Sequence, residues 1–391
     1  MGVTALLFYS LGSFAGALHQ EFGWSRAQIS SAFFYTTVSL VIVAAPLGWL
    51  LDRYGPRRVA MVSIPGLAIS MVLLSQLSGS LTLFAVLFAL AGVLGAGTTS
   101  AVYTKAVNSK FHAARGLALG IALTGLGVAA MVLPLLVTAV VSSAGWRFGF
   151  LTLAGLSLLA FPFVMFGRMD AVPAGDGTPT HELDGMTRSQ VFRSRTFWIL
   201  LFGVLLVGSS VPALIPHMLP MLTDTGLSPG TAATIASVIG VGVILGRLCV
   251  GYLLDRFPAP FVATPMFVVA AVGAASLALG GTASAPVSAL LLGVCFGAEA
   301  DLIALLCGNY FGLRAYGFIY GIVYALFTLA VSIGPIWVGA LFDSTGSYHR
   351  ALLIVAAMLT AGAVVFLALP RRPTYGSRAV VSAAISEATT A

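Results

Sequence analysis

The chain has 391 residues, of which 59% are hydrophobic and only 8% charged, with a mean hydropathy of +1.03. Soluble domains carry about 25% charged residues, so this composition excludes a soluble enzyme or binding module and predicts a polytopic membrane protein. The formal charge of +7 reads as an orientation signal, because no basic patch interleaved with aromatics is present to bind nucleic acid.

Apolar runs long enough to cross about 30 Å of hydrocarbon, roughly 20 residues each, are predicted near 2-20, 29-51, 59-78, 82-106, 113-141, 147-168, 196-220, 231-254, 260-281, 285-308, 316-341 and 348-369. This is an all-α membrane fold of twelve helices. The first run carries no basic leader and no small-residue cleavage site, so no signal peptide is expected. The stretch 169-195, "MDAVPAGDGTPTHELDGMTRSQVFRSR", is the single long polar interruption. It reads as a cytoplasmic linker between an N-terminal six-helix bundle at 1-168 and a C-terminal one at 196-370, with an unstructured cytoplasmic tail at 371-391. Cys249, Cys295 and Cys307 fall inside apolar runs without metal-ligand spacing and read as small buried hydrophobes. No metal or cofactor is expected.

Orientation follows from the loops. With both termini cytoplasmic, the inner connections and ends hold Arg53, Arg57, Arg58, Lys105, Lys110, Arg115, Arg168, Arg188, Arg193, Arg195, Arg256, Arg314, Arg371, Arg372 and Arg378. The outer side holds Arg26, Arg147 and Arg350. This asymmetry is a strong positive-inside signal and predicts a multi-pass protein of the cell inner or plasma membrane.

The two bundles repeat each other. "GWLLDRYGPRR" ends the second run and "GYLLDRFPAP" the eighth, so Gly48, Asp52 and Arg53 map to Gly251, Asp255 and Arg256 at a constant offset of 203. Asn108, Gly116, Gly120 and Pro134 map to Asn309, Gly317, Gly321 and Pro335 at an offset of 201. Parallel repeats related by an axis along the membrane normal are expected of one large class of secondary transporters.

At these residues "GWLLDRYGPRR" resembles the loop signature of the major facilitator superfamily, and "GYLLDRF" its degenerate second copy. "EFGWSRAQIS", "PHMLPMLTDTGLS", "GRLCVGYLLDR" and "FDSTGSY" are most similar to the monocarboxylate transporter and oxalate:formate antiporter group. The resemblance implies a major facilitator fold and alternating access. It makes Gly48, Asp52, Arg53, Gly55, Arg57, Gly251, Asp255 and Arg256 a conformational motif at the cytoplasmic helix ends, where charges latch neighbouring helices in one state. The glycines of "GIALTGLGVAA" permit close helix approach, and Pro134 and Pro335 can bend their helices.

Arg247 sits in "GVGVILGRLCVGYLLDR", eight residues before Asp255 and so about 12 Å from the helix end. A charge at that depth costs several kcal/mol, on the order of 3 or more, unless it is paired or faces water. Two readings follow, a structural ion pair or a substrate site. The resemblance implies the second, since an arginine in the eighth helix binds carboxylate in those carriers, and a planar guanidinium suits a carboxylate bidentately. The only acids at membrane depth, Glu299 and Asp301, lie two apart in "GVCFGAEADLIALL", about 200° around the helix. They are the candidates for proton coupling, or for plain neutralisation of Arg247.

Two departures narrow the substrate. Animal monocarboxylate carriers have an aspartate one turn before that arginine, where this chain has Val243, and a lysine in the first helix, where this chain has none. Oxalate exchange relies on a second cation in the eleventh helix, which is absent here. One buried cation fits a monoanion better than a dicarboxylate. Tyr9, Ser13, Tyr35, Tyr103, His217, Tyr320 and Tyr324 are candidates to line the path, each equally readable as packing, and His217 also as part of an outer gate.

No enzyme constellation, such as a convergent nucleophile and base, and no P-loop is present. The expected function is a monomeric, gradient-driven carrier of small organic anions, a symporter with protons. A proton-linked exporter of a neutral solute or drug, and a non-transporting nutrient sensor on the same fold, are the alternatives.

Overall fold

The computed structural model describes residues 2–99, 115–166, 185–254, 256–312 and 314–370, with the backbone alone at 3, 4, 52, 115–123 and 301. Tyr103, Lys105, Asn108, Lys110, Asp255, most of the linker and the tail lie outside the described residues.

The described chain is helical: α1 (Val3–Phe22), α2 (Arg26–Ser30), α3 (Ala32–Leu74), α4 (Leu81–Gly95), α5 (Arg115–Ala144), α6 (Trp146–Leu158), α7 (Phe161–Phe166), α8 (Arg188–Arg193), α9 (Arg195–Gly208), α10 (Val211–Leu214), α11 (Met218–Asp224), α12 (Pro229–Leu254), α13 (Ala259–Gly280), α14 (Ala285–Phe311), α15 (Tyr316–Thr345) and α16 (His349–Leu367). Among the described residues, ten spans are long and apolar enough to cross a membrane, or eleven if the bent α14 is one span. Large apolar side chains such as Ile42, Val62, Phe163 and Leu279 are more than two-thirds exposed, which suits a lipid-facing outside.

Local chemistry sets the helix ends. Gly23, in the left-handed region at φ 69°, closes α1. Ser25 and Gln28 then form a capping box that starts α2. The separate runs expected at 29-51 and 59-78 correspond to two candidate spans, Arg26–Leu51 and Arg53–Leu74, and within α3 the chain kinks at Gly55, whose φ of 77° and ψ of 161° break the helical path. Only glycine adopts that region readily. The run expected at 196-220 falls in one candidate span, Arg195–Asp224, whose helix is interrupted into α9, α10, a 3-10 turn at Ile215–His217, and α11. Pro212, Pro216 and Pro220 explain the breaks, since each lacks an N–H and cannot continue the hydrogen-bond ladder. Inside the expected linker, a Thr187–Gln190 capping box starts the short α8.

Helices pack where side chains are small. α5 meets α12 with Gly127 against Gly240; a β-carbon on Gly240 would stand 2.5 Å from the Gly127 carbonyl. α12 meets α14 through Gly242, Gly246, Gly293 and Gly297. A β-carbon on Gly293 or Gly297 would run into the backbone carbonyl of Ile239 or Val243. Gly242 and Gly293 face each other, a β-carbon on either standing 2.8 and 3.0 Å from the α-carbon of the other, and that parallel register sets position 298 level with position 247. α14 bends by 41° between Ala285–Ala300 and Leu302–Phe311, at position 301.

The repeat has a counterpart in side-chain contacts. Arg53 lies over the Trp49 ring at 5.2 Å and Arg256 over the Tyr252 ring at 3.6 Å. The two aromatics stand at the same offset of 203 as the arginines, and cation–π contact gives each arginine a partner four residues before it. Arg57 donates to the Met165 carbonyl, tying the start of the second part of α3 to α7. These contacts mark the linker end of the protein. The opposite, far end is where α1 passes into α2, α11 into α12 and α15 into α16.

Candidate functional site

Arg247 is half-buried on α12, and its charge reaches the buried Tyr9 of α1. Beside Tyr9, Phe8 stacks on Phe296 of α14 at 5.5 Å with the rings nearly parallel, and packs on Phe33 of α3 at 5.1 Å. Tyr9 meets the same Phe296 edge-on at 6.3 Å. An aromatic wall drawn from both parts of the chain therefore surrounds Tyr9, within electrostatic range of the one cation expected at membrane depth. In such a surround water is scarce and a carboxylate–guanidinium contact is strong.

Glu299 is buried at 3% exposure. The Cys295 thiol, one turn earlier, donates to its Oε1 at 3.5 Å, while Oε2 is buried and accepts no hydrogen bond. A buried carboxylate without partners is expensive, and a proton removes the charge. The backbone register places Glu299 within about one residue of the height of Arg247, and position 301 less than one turn past that level toward the linker end.

On the far side of Tyr9 is a small cavity of about 20 Å³ between Tyr9, Gly12, Ser13, Pro134, Pro216 and Ile239, room for about one water. Ser13 also accepts from Thr138 at 2.9 Å. Thus Tyr9 and Ser13 of the expected path residues line one small cavity, and Arg247 is not part of its lining. Tyr35 packs edge-on against Phe34 on α3. Tyr320 and Tyr324 stack at 5.3 Å in a ladder that begins with Tyr316 along α15, and the Tyr316 hydroxyl donates to the Ala304 carbonyl of α14.

His217 lies elsewhere. It is fully enclosed at the far end, with Nε2 donating to the Pro335 carbonyl at 2.8 Å and lying 3.2 Å from the Ser30 hydroxyl. Nδ1 is 3.2 Å from the Tyr348 hydroxyl. Around it, the backbone N–H groups of Arg26 and Ala27 donate to the two oxygens of Asp343 at 2.9 and 3.0 Å, and Arg26 pairs with Asp224 at 3.0 Å. Sequence reasoning missed Ser30, Asp224 and Asp343. Its available signals were the S-R-A-Q capping box, which fixes a helix start needing acceptors, and the acid in "FDSTGSY".

The profile of the Major Facilitator Superfamily matches residues 1–309. The chain is 29% identical over 388 residues to human monocarboxylate transporter 11, covering 95% of this chain and 80% of that one. It is 26% identical to monocarboxylate transporter 13 of Rattus norvegicus, covering 94% and 86%, and 25% identical to a probable L-galactonate transporter of Escherichia coli, covering 91% and 84%. In fold it is similar to the solved structures of the nucleoside transporter NupG and of a D-xylose-proton symporter. Each has a TM-score of 0.72 and 16% identity, covering 94% of this chain and 96% of the other. The resemblance read from the loop motifs is thereby shown, as is a multi-pass transporter.

Proposed function

Because the chain belongs to the major facilitator superfamily, we propose that it is a secondary carrier of small monocarboxylates, working by alternating access of two six-helix bundles, 1–168 and 196–370. The observation that carries the proposal is that the charge of Arg247 reaches the buried Tyr9, one residue from each bundle. A carboxylate bound there by the guanidinium and the phenol bridges the bundles, and its short apolar remainder meets Phe8 and Phe296. The names of the relatives, three of which transport or are named for carboxylates or sugar acids, support that substrate class.

The two acids take different parts in this reading. Asp301, less than one turn past the level of Arg247 along α14, is the charge partner that the substrate carboxylate replaces. Glu299, buried with one oxygen unsatisfied, carries the proton that moves with the substrate. The linker end, rich in Arg and including Arg53, Arg57, Arg188, Arg193 and Arg256, is the cytoplasmic face of an inner or plasma membrane, and the carrier acts as a monomer.

Counterflow tests this reading. Proteoliposomes loaded with unlabelled lactate should accumulate labelled lactate transiently, and an external neutral analogue such as lactamide should not compete. Failure of lactate, pyruvate and acetate alike to drive counterflow would sink the monocarboxylate assignment and favour the neutral-solute exporter.

A further inference from the structure

The start of α2 is held by side chains from the other bundle. A helix N-terminus presents unsatisfied N–H groups and partial positive charge. Ser25 caps from within, accepting from the Gln28 N–H. The next orphan donors, the N–H groups of Arg26 and Ala27, both go to Asp343 of α15, 317 and 316 positions away. The Arg26 side chain continues the contact, donating to both oxygens of Asp224 at 3.0 and 3.2 Å and lying over the Phe342 ring. Ser30, one turn on, meets His217. Close approach depends on Gly339, since a β-carbon there would stand 2.7 Å from the Ala27 nitrogen.

Every partner in this set lies in 196–370, whereas α2 lies in 1–168. The neighbouring charges behave differently: Glu21 pairs with Arg147 at 2.8 Å and accepts from the Trp146 indole, entirely within 1–168. Separating the bundles at the far end must break the first set and spares the second. Water can replace the lost partners once the gap opens, so the contact is reversible. We infer that Asp343, with Arg26 and Asp224, is a latch that holds the far, outer face closed and so sets the ratio of the two access states. The inference rests on the alternating-access reading above and not on the identity of the substrate.

The test places a cysteine beneath the latch. Ala15 of α1 is buried and lines the small space between Arg26, Ser30 and His217, so Ala15→Cys is shielded while the latch is shut. Whole cells are treated with a membrane-impermeant thiol reagent from outside, and the chain with its native Cys249, Cys295 and Cys307 sets the background. Asp343→Ala and Arg26→Ala, each combined with Ala15→Cys, should raise the labelling rate about tenfold or more. Asp343→Asn, which keeps the shape and one accepting oxygen, should raise it less and carries the test if the alanine variant fails to fold. Glu21→Gln should leave the rate at that of the Ala15→Cys parent. Parental labelling in the Asp343 and Arg26 variants overturns the latch, as does an equal rise in the Glu21 variant, which would mean general loosening. Counterflow by the parent is measured in parallel, so a failure of the carrier reading is seen separately from a failure of the latch.

Discussion

Gly297 of α14 lies so close to Val243 of α12 that a β-carbon on it would stand 2.4 Å from the Val243 carbonyl oxygen. The obstacle is backbone, which cannot swing aside, and Gly293 meets Ile239 in the same way one turn earlier. This seam fixes the height of Arg247 relative to the two acids. Gly297→Ala should therefore force α14 away, at an overpacking cost on the order of 1–3 kcal/mol. A thermal-unfolding midpoint several degrees below wild type, with transport reduced beyond the loss of folded protein, is the expected outcome. Unchanged stability and transport would mean the helices are not packed at this register.

Gly55→Ala isolates conformation from packing. Nothing lies within 4 Å of a β-carbon at Gly55, yet its φ is 77°, so the substitution meets no neighbour and still strains the backbone by about 1–3 kcal/mol. The midpoint should fall, while Gly251→Ala, at a position with open space and no positive φ, should cost little. Equal midpoints for the two variants would remove the kink as the reason for glycine at position 55.

The two acids of α14 should separate in their effects. Glu299→Gln keeps the shape and fixes the neutral form, so substrate exchange should persist while uptake driven by a pH gradient is lost. Asp301→Asn should leave proton movement per substrate intact and instead change the apparent affinity several-fold, because it alters the charge partner and not the proton site. Proteoliposomes containing a pH dye, pulsed with lactate, read both quantities. Wild-type acidification per lactate moved in Glu299→Gln would place the proton route elsewhere.

Much of this was legible beforehand for physical reasons. Lipid demands long apolar runs, so the spans and the solvent class follow from composition, and an arginine far from any helix end marks itself by its cost. Arg53 and Arg256 were visible through the repeat, but their shared aromatic partners, Trp49 and Tyr252, emerge only when the side chains are placed. The three-way break near His217 was signalled by Pro212, Pro216 and Pro220 and hidden by uniform hydropathy, since an apolar run reads the same whether straight or broken. The contacts of Arg26 with Asp224 and Asp343 join positions 198 and 317 apart, and no local pattern relates residues at such separation. Tyr9 and Arg247 were each singled out on their own helices; that the charge of one reaches the other depends on how α1 and α12 are placed.

The central claim is that Arg247 holds the carboxylate of the substrate. The most direct measurement is the thermal shift of the purified protein against lactate, using wild type, Arg247→Lys and Arg247→Ala. Ligands that bind only the folded state stabilise it by RT ln(1 + [L]/Kd), about 2.7 kcal/mol at a hundredfold excess over Kd. The account predicts a saturable shift for wild type, a weaker one for Arg247→Lys, whose ammonium cannot make the bidentate contact, and none for Arg247→Ala, with lactamide inert on all three. An Arg247→Ala protein that folds and shifts with lactate as wild type does would contradict it.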